Sequence, residues 1–305
     1  MKEFYRRHKW GILLGALAAV LALCFLLDRV GLWDRLLGRT DPLPRVSPPD
    51  PNTLEVHFLS VGNADSALLM CGGSALLIDG GDPDDGPMLV QYMQACGVEK
   101  LDYVIATHGD SDHIGGLLKV LDRYPVGRFL TAFMPEGAEP TTAAYLALLE
   151  KLAGRQIPTF QTVPGAVYPL GNAQLEILGP VVPSFDANEQ SVICRVTYGE
   201  NRFLFTGDAG EEEEYSLLAA GVDLSATVLK VGHHGSSGSS TEAFLKAVGA
   251  RWGVISCGVG NPYGHPHGSA VRRLTAAGIT LYRTDTQGTV VMVSDGTDIK
   301  IRTER

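Results

Sequence analysis

Residues 108–113 read His-Gly-Asp-Ser-Asp-His, set between the strand-like run 101–107 and the small, helix-entering Ile114-Gly-Gly-Leu117. Four potential metal ligands fall within six residues. At a strand-to-helix turn the backbone is free of the ladder and splays successive side chains toward one point, so imidazoles and carboxylates at this density suit one or two cations. A solvated turn with Asp112 as an N-cap is the simpler use of the same residues. It is disfavoured because ligand-type residues recur after other apolar runs: Asp79 after 75–78, Asp208 after 202–207, and His233-His234 after 226–232. A chain that delivers such residues from several strand ends must fold so that those ends share one rim.

The 305 residues, 45% of them hydrophobic, suffice for a full core in one large domain or two small ones. Residues 10–27 contain no charged side chain and follow Lys2, Arg6, Arg7 and Lys9. This predicts a basic segment over 1–9 and a single transmembrane helix over 10–27, with the amino terminus in the cytoplasm and the main domain outside the cell membrane. Arg29, Arg35, Arg39 and Arg45 follow the run, so the orientation rests on the tighter cluster before it. A cleaved signal is the competing reading, but no small-x-small site follows Leu27, and Leu23 is too large to precede a lipidated Cys24. Pro42, Pro44, Pro48, Pro49 and Pro51 make 28–53 a stiff spacer, leaving 54–305 as the main domain.

Five widely spaced cysteines with no Cys-x-x-Cys pair predict buried thiols rather than a disulfide framework or a nucleophile. The first 53 residues carry eight Lys/Arg and five Asp/Glu, which leaves −12 for residues 54–305 of a chain whose net charge is −9. So acidic a domain lacks the electrostatic footprint of a duplex binder. The run Glu211–Glu214 is expected to form an exposed acidic first helical turn.

Beyond residue 53, short apolar strands mix with helical periodicity. Runs 54–59, 67–70 and 74–78 read as consecutive strands separated by Gly62-Asn63 and Gly72-Gly73. Helical spacing appears over 88–96, 116–122, 142–152, 211–220, 241–248 and 269–277. Two such α/β halves, divided near 155–170, predict two sheets packed face to face with helices outside and polar residues along one rim.

The segment Thr107-His-Gly-Asp-Ser-Asp-His-Ile-Gly-Gly116, with Asp79 in Leu77-Ile-Asp-Gly-Gly81 and Asp208 in Phe205-Thr-Gly-Asp208, resembles the metallo-β-lactamase superfamily over essentially all of residues 54–305. More narrowly, the domain looks like the metallo-β-lactamase-type domain of ComEC-type DNA-uptake proteins. That finer resemblance is carried by Val61-Gly-Asn-Ala-Asp65-Ser66, Asn188 with Ser191, Leu229-Lys-Val-Gly-His-His-Gly-Ser236, Asn261-Pro-Tyr-Gly-His-Pro266, and Thr284-Asp285 with Gly288. It implies a four-layer αββα sandwich. Asp110 stands where the superfamily usually has histidine, and Asn188 or Ser191 where it has another.

The resemblance implies one or two divalent ions, Zn²⁺ or Mn²⁺. His108 and Asp110 would serve one, and Asp112, His113 and either His233 or His234 the other, with Asp208 bridging. Asp112 and Asp208 would thus be both ligands and catalytic groups. Lys230 would offset phosphate charge, His265 protonate a leaving oxygen and Ser236 donate a hydrogen bond, while Asp65, Asp79, Asn188 and Ser191 order the site. The expected activity is hydrolysis of phosphodiesters, single-stranded DNA among them, by a metal-bound hydroxide. The competing expectations are a hydrolase of choline-phosphate or another envelope ester, and a non-catalytic scaffold that keeps its metal for folding. The membrane is the expected partner through residues 10–27, and no protein partner is inferable. No channel can be built from one helix, so DNA transport by this chain alone is not expected.

Overall fold

The three apolar runs after residue 53 form strands β1 (Leu54–Phe58), β2 (Ala67–Cys71) and β3 (Ser74–Ile78) in a computed structural model, which describes residues 50–305. The basic segment, the run 10–27, Cys24 and the spacer up to residue 49 lie outside the described residues. Among the described residues no helix is long and apolar enough to cross a membrane. The turn between β2 and β3 is Gly72-Gly73, with φ of 56° and 81°. Two positive φ values in a two-residue loop match the twist of a hairpin, and glycine meets them without steric cost.

From β3 the chain turns parallel. Strands β4 (Leu101–Ala106), β5 (Val126–Thr131) and β6 (Thr159–Gln161) add in order, linked through helices α1 (Gly86–Ala95), α2 (Ser111–Ile114), α3 (Leu117–Arg123) and α4 (Ala143–Gly154). A second sheet begins with an antiparallel meander of β7 (Val167–Leu170), β8 (Ala173–Gly179), β9 (Ile193–Tyr198) and β10 (Asn201–Phe205). It continues in parallel through β11 (Val228–Lys230), β12 (Trp252–Ile255) and β13 (Thr280–Arg283), separated by α5 (Glu211–Ala219), α6 (Glu242–Val248) and α7 (Gly268–Ala276).

The division between sheets falls at residues 162–166, inside the expected interval, but the halves are not sequential to the end. After α8 (Thr284–Gln287), strands β14 (Val290–Ser294) and β15 (Ile299–Thr303) return to the first sheet, where β14 pairs with β1. The first sheet therefore runs β15-β14-β1-β2-β3-β4-β5-β6 and the second β13-β12-β11-β10-β9-β8-β7.

Alternation along the strands fills the space between the sheets. Leu54, Val56 and Phe58 of β1 meet Leu69, Leu76 and Ile105 from the same sheet and Leu175, Val196, Phe203 and Val254 from the other in one buried cluster. Phe58 stacks on Phe205 with ring centres 5.8 Å apart. The outer face of the second sheet, with Leu204, Leu229 and Val231, is closed by Leu217 of α5, Phe244 and Leu245 of α6 and Leu274 of α7. The four cysteines of the described residues are free and buried. Burial pushes the Cys96 and Cys257 thiols up to about 12, which suits packing and not nucleophilic attack.

The acidic start of α5 departs from expectation. Glu211 and Glu212 face solvent, but Glu213 and Glu214 are buried. The Glu213 carboxylate accepts from Val181 N at 2.8 Å, and that of Glu214 from Ser240 N and Thr241 N. Glu189 accepts from Gly210 N at 3.1 Å and Glu213 N at 2.9 Å. Three carboxylates thus fasten the loops beside the rim to the first turn of α5, which a run of like charges does not announce.

Candidate metal centre

Asp79, Thr107-His108, Asp208, His233-His234 and Ser256 follow the carboxyl ends of β3, β4, β10, β11 and β12, so the parallel strands of both sheets open onto one rim. Three loops are laced together there. Asp65 N donates to Asp112 O at 3.1 Å, Gly81 N to Asp65 O at 2.8 Å, and Gly80 N to His113 O at 2.6 Å. A Cβ on Gly116 would stand 2.1 Å from Gly80 O, which explains the Gly115-Gly116 pair after the ligand run. Asp79, His233 and His234 hold left-handed backbones, with φ of 56°, 48° and 51°. Such strain in residues other than glycine concentrates where the surroundings fix a functional side chain.

The Asp79 carboxylate accepts from Thr107 N at 2.8 Å, Thr107 Oγ1 at 2.7 Å and His113 Nδ1 at 2.9 Å. A carboxylate only accepts, so the His113 proton sits on Nδ1 and leaves Nε2 with a free lone pair. His234 is oriented likewise, its Nδ1 donating to Ser256 O at 3.1 Å. The freed nitrogens converge. His113 Nε2 lies 3.3 Å from Asp208 Oδ1 and 4.0 Å from Asp112 Oδ2, and His234 Nε2 lies 3.4 Å from Asp112 Oδ2 and 3.5 Å from Asp208 Oδ2. His108 joins His113 and Asp208 in a second set whose donor atoms lie within 4.8 Å of one another.

Nε2 of His108, His113 and His234 and Oδ1 of Asp208 are buried without a hydrogen-bond partner. Orphaned buried donors and acceptors are costly. Shared between neighbouring donor sets, His108 with His113 and Asp208, and His234 with Asp112 and His113 or with Asp208, the four fit one or two divalent cations. Burial alone would neutralise these groups. Instead, without a cation, Asp208 and Asp79 outweigh it and hold His113 protonated, well above the usual imidazole range, while the histidines hold Asp208 well below the usual carboxylate range; a cation would displace the Nε2 proton and take up that lone pair. The buried acids thus hold positive charge at the centre, a place that a cation can take over from the histidine protons.

The remaining expected residues fall as follows. His234 is buried with its Nε2 turned inward, whereas the His233 side chain is 30% exposed and reaches Asp208 only at 3.7 Å. Asp110 lies at the mouth, 47% exposed, with Oδ2 3.7 Å from His108 Nε2. Ser191 Oγ accepts from Asp208 N at 3.1 Å and lies 3.4 Å from His108 Nδ1. Asn188 Oδ1 is buried and unpartnered, and its backbone N donates to Asp186 Oδ1 at 2.9 Å. Ser236 Oγ accepts from Gly238 N at 3.3 Å within its own loop.

Lys230 does not stand free at the mouth. Its buried Nζ lies 2.7 Å from Asp65 Oδ2 and donates to Val231 O at 3.0 Å. Asp65 Oδ1 is in turn 3.4 Å from His234 Nδ1. His265 stacks over His234 with ring centres 6.0 Å apart, and its Nδ1 is buried without a partner. Burial, then the neighbouring His234, His233 and His267, push its pKa down to about 4. Three contributors escaped sequence reasoning: Thr107, Ser256 through its carbonyl, and Asn261. The Asn261 side chain accepts from His265 N at 2.9 Å and donates to His265 O at 2.6 Å. Thr107 and Asn261 stand inside the motifs that carry the resemblance, which gave them no role, and nothing local marks Ser256.

Residues 61–259 match the family described as the metallo-beta-lactamase superfamily. ComE operon protein 3 of Bacillus subtilis is 31% identical over 206 residues, covering 67% of this chain and 26% of that protein. Competence protein ComA of Neisseria gonorrhoeae is 32% identical over 280 residues, covering 89% and 37%, and Recombination protein 2 of Haemophilus influenzae is 32% identical over 231 residues, covering 73% and 26%. The chain therefore spans between 26% and 37% of the length of these relatives. Among solved structures, the metallo-beta-lactamase fold protein YhfI of Bacillus subtilis aligns with a TM-score of 0.54 at 16% identity, over 79% of this chain and 99% of that one. CmlA, a diiron beta-hydroxylase of Streptomyces venezuelae, aligns with a TM-score of 0.54 at 16% identity, over 88% and 59%. At such identities these two establish the fold and nothing finer.

Proposed function

Because the chain belongs to the metallo-beta-lactamase superfamily, we propose that its domain is a metal-dependent phosphodiesterase that cleaves nucleic-acid strands. The observation that carries this reading is the set of four unpartnered buried atoms on His108, His113, His234 and Asp208. Asp112 and Asp110 extend the set with oxygen donors, and a donor set this rich in carboxylate accepts Mn²⁺ as well as Zn²⁺. The relatives' names, competence and recombination, put DNA first among the substrates to try.

A bound divalent cation lowers the pKa of an attacking water and draws charge off a phosphoryl group. The chain's own residues supply the rest. Asp79 and Ser256 O fix the rings of His113 and His234, so each presents Nε2 to the centre. Ser191 accepts from the Asp208 amide and keeps that carboxylate aimed inward. Hydrolysis forms a bond from the water oxygen to phosphorus and breaks the bond to the leaving oxygen, which takes up a proton. That proton is the one the attacking water gives up; His265, clamped at both backbone atoms by Asn261 and held neutral by its lowered pKa, stacks over His234 as a base that can pass it on.

The test uses the full chain, purified in detergent from expressing cells. The purified protein is then assayed with Mn²⁺ or Zn²⁺ on single-stranded DNA and bis-p-nitrophenyl phosphate. Turnover should require the metal and vanish in Asp208→Asn. Absence of metal-dependent turnover on both substrates would sink the reading.

A further inference from the structure

The loop 258–267 ends in a short column of rings. Tyr263 stacks on His265 with centres 5.6 Å apart and planes 20° apart, and His265 stacks on His234 at 6.0 Å and 29°. The column leads from the buried His234 outward to Tyr263, which is 66% exposed. Tyr263 is not placed there by floppiness. Asn261 clamps the backbone of His265 and donates to Gly258 O at 2.9 Å, His267 Nε2 donates to Tyr263 O at 3.1 Å, and Ser237 N donates to His267 Nδ1 at 2.9 Å. A Cβ on Gly258 would stand 2.8 Å from Asn63 N, so the loop root is pressed against the loop that carries Asp65.

An exposed aromatic face, held rigid beside a candidate metal centre, is well suited to stacking an unpaired base. The balance of −12 over residues 54–305 gives no general attraction for phosphates, so a strand must be held by local contacts. We propose that Tyr263 is a nucleobase platform: a base of the substrate stacks on its open face while the adjoining phosphodiester lies at the metal centre two rings inward. This rests on the phosphodiesterase reading and names the substrate more closely, as a strand with unpaired bases. A duplex holds its bases within its own stack and cannot offer one without unstacking it.

The test compares kcat/KM of the full chain with Mn²⁺ on an oligothymidylate and on an abasic oligomer of the same length, which keeps the sugars and phosphates. The wild type should prefer the base-bearing strand by about tenfold. Tyr263→Ala should lose that factor on the oligothymidylate and be unchanged on the abasic strand, while Tyr263→Trp restores the preference. Equal losses on both strands would mean that Tyr263 only supports His265, and would overturn the proposal. A wild type that cleaves both strands alike leaves the phosphodiesterase reading standing and removes this one. A wild type that cleaves neither removes both.

Discussion

The ammonium of Lys230 lies 2.7 Å from Asp65 among residues almost wholly removed from water. A buried pair adds little over an apolar one, but removing one partner strands the other charge. Lys230→Met should therefore cost about 3–5 kcal/mol in urea unfolding. A variant of unchanged stability but lost turnover would instead put Lys230 on the substrate. Its role was not legible in the sequence, because Asp65 is distant along the chain and a lysine after a strand is usually solvated. The convergence of His108, Asp112, His113 and Asp208 on neighbouring donor sets was legible, since they follow apolar runs and are of ligand type. The choice between His233 and His234 was not. It depends on two consecutive left-handed residues, which send one ring inward and the other to the mouth.

At the scale of elements, the start of α5 couples pH to the rim. Burial, aided by Glu189, pushes Glu213 from 4.5 up to about 7, and burial pushes Glu214 up to about 6. A raised pKa means the folded state binds the proton more tightly. The contribution to stability is thus complete below about pH 4.5 and is lost as pH rises through 6 and 7. Glu213→Gln should flatten the fall in urea midpoint between pH 4.5 and 7; parallel curves for wild type and variant would refute the assignment. Six of the eight α-helices among the described residues were legible to within two residues, since their apolar spacing survives in the sequence; the four-residue α2 and α8 are too short to show any. β6 was not, being three exposed residues with no alternation to read, and the buried glutamates were masked by a run that looks solvated.

Across the whole molecule, the centre is tied to both sheets: His108 and His113 follow β4 of the first, Asp208 and His234 follow β10 and β11 of the second. Any ligand that binds only the folded domain stabilises all of it, by about 2.7 kcal/mol at a hundredfold excess over Kd. Chelation should accordingly lower Tm by roughly 5–10 °C in a single calorimetric transition, and Mn²⁺ should restore it. An unchanged Tm would argue that the donor set holds no metal. The two-sheet architecture and the split near residue 162 were legible from the order of strands and helices. The return of β14 to β1 was not, because pairing between distant strands leaves no local signal.

That return has a temporal consequence. Strand β1 is an interior strand only once Val290–Ser294 lies beside it. On a ribosome, residues 54–58 emerge long before their partner exists, so the early chain displays an open strand edge throughout synthesis. Closing the sheet is then a late, long-range event, with a large loop already ordered or waiting to be. Strands made after the whole second sheet decide when the first sheet is finished.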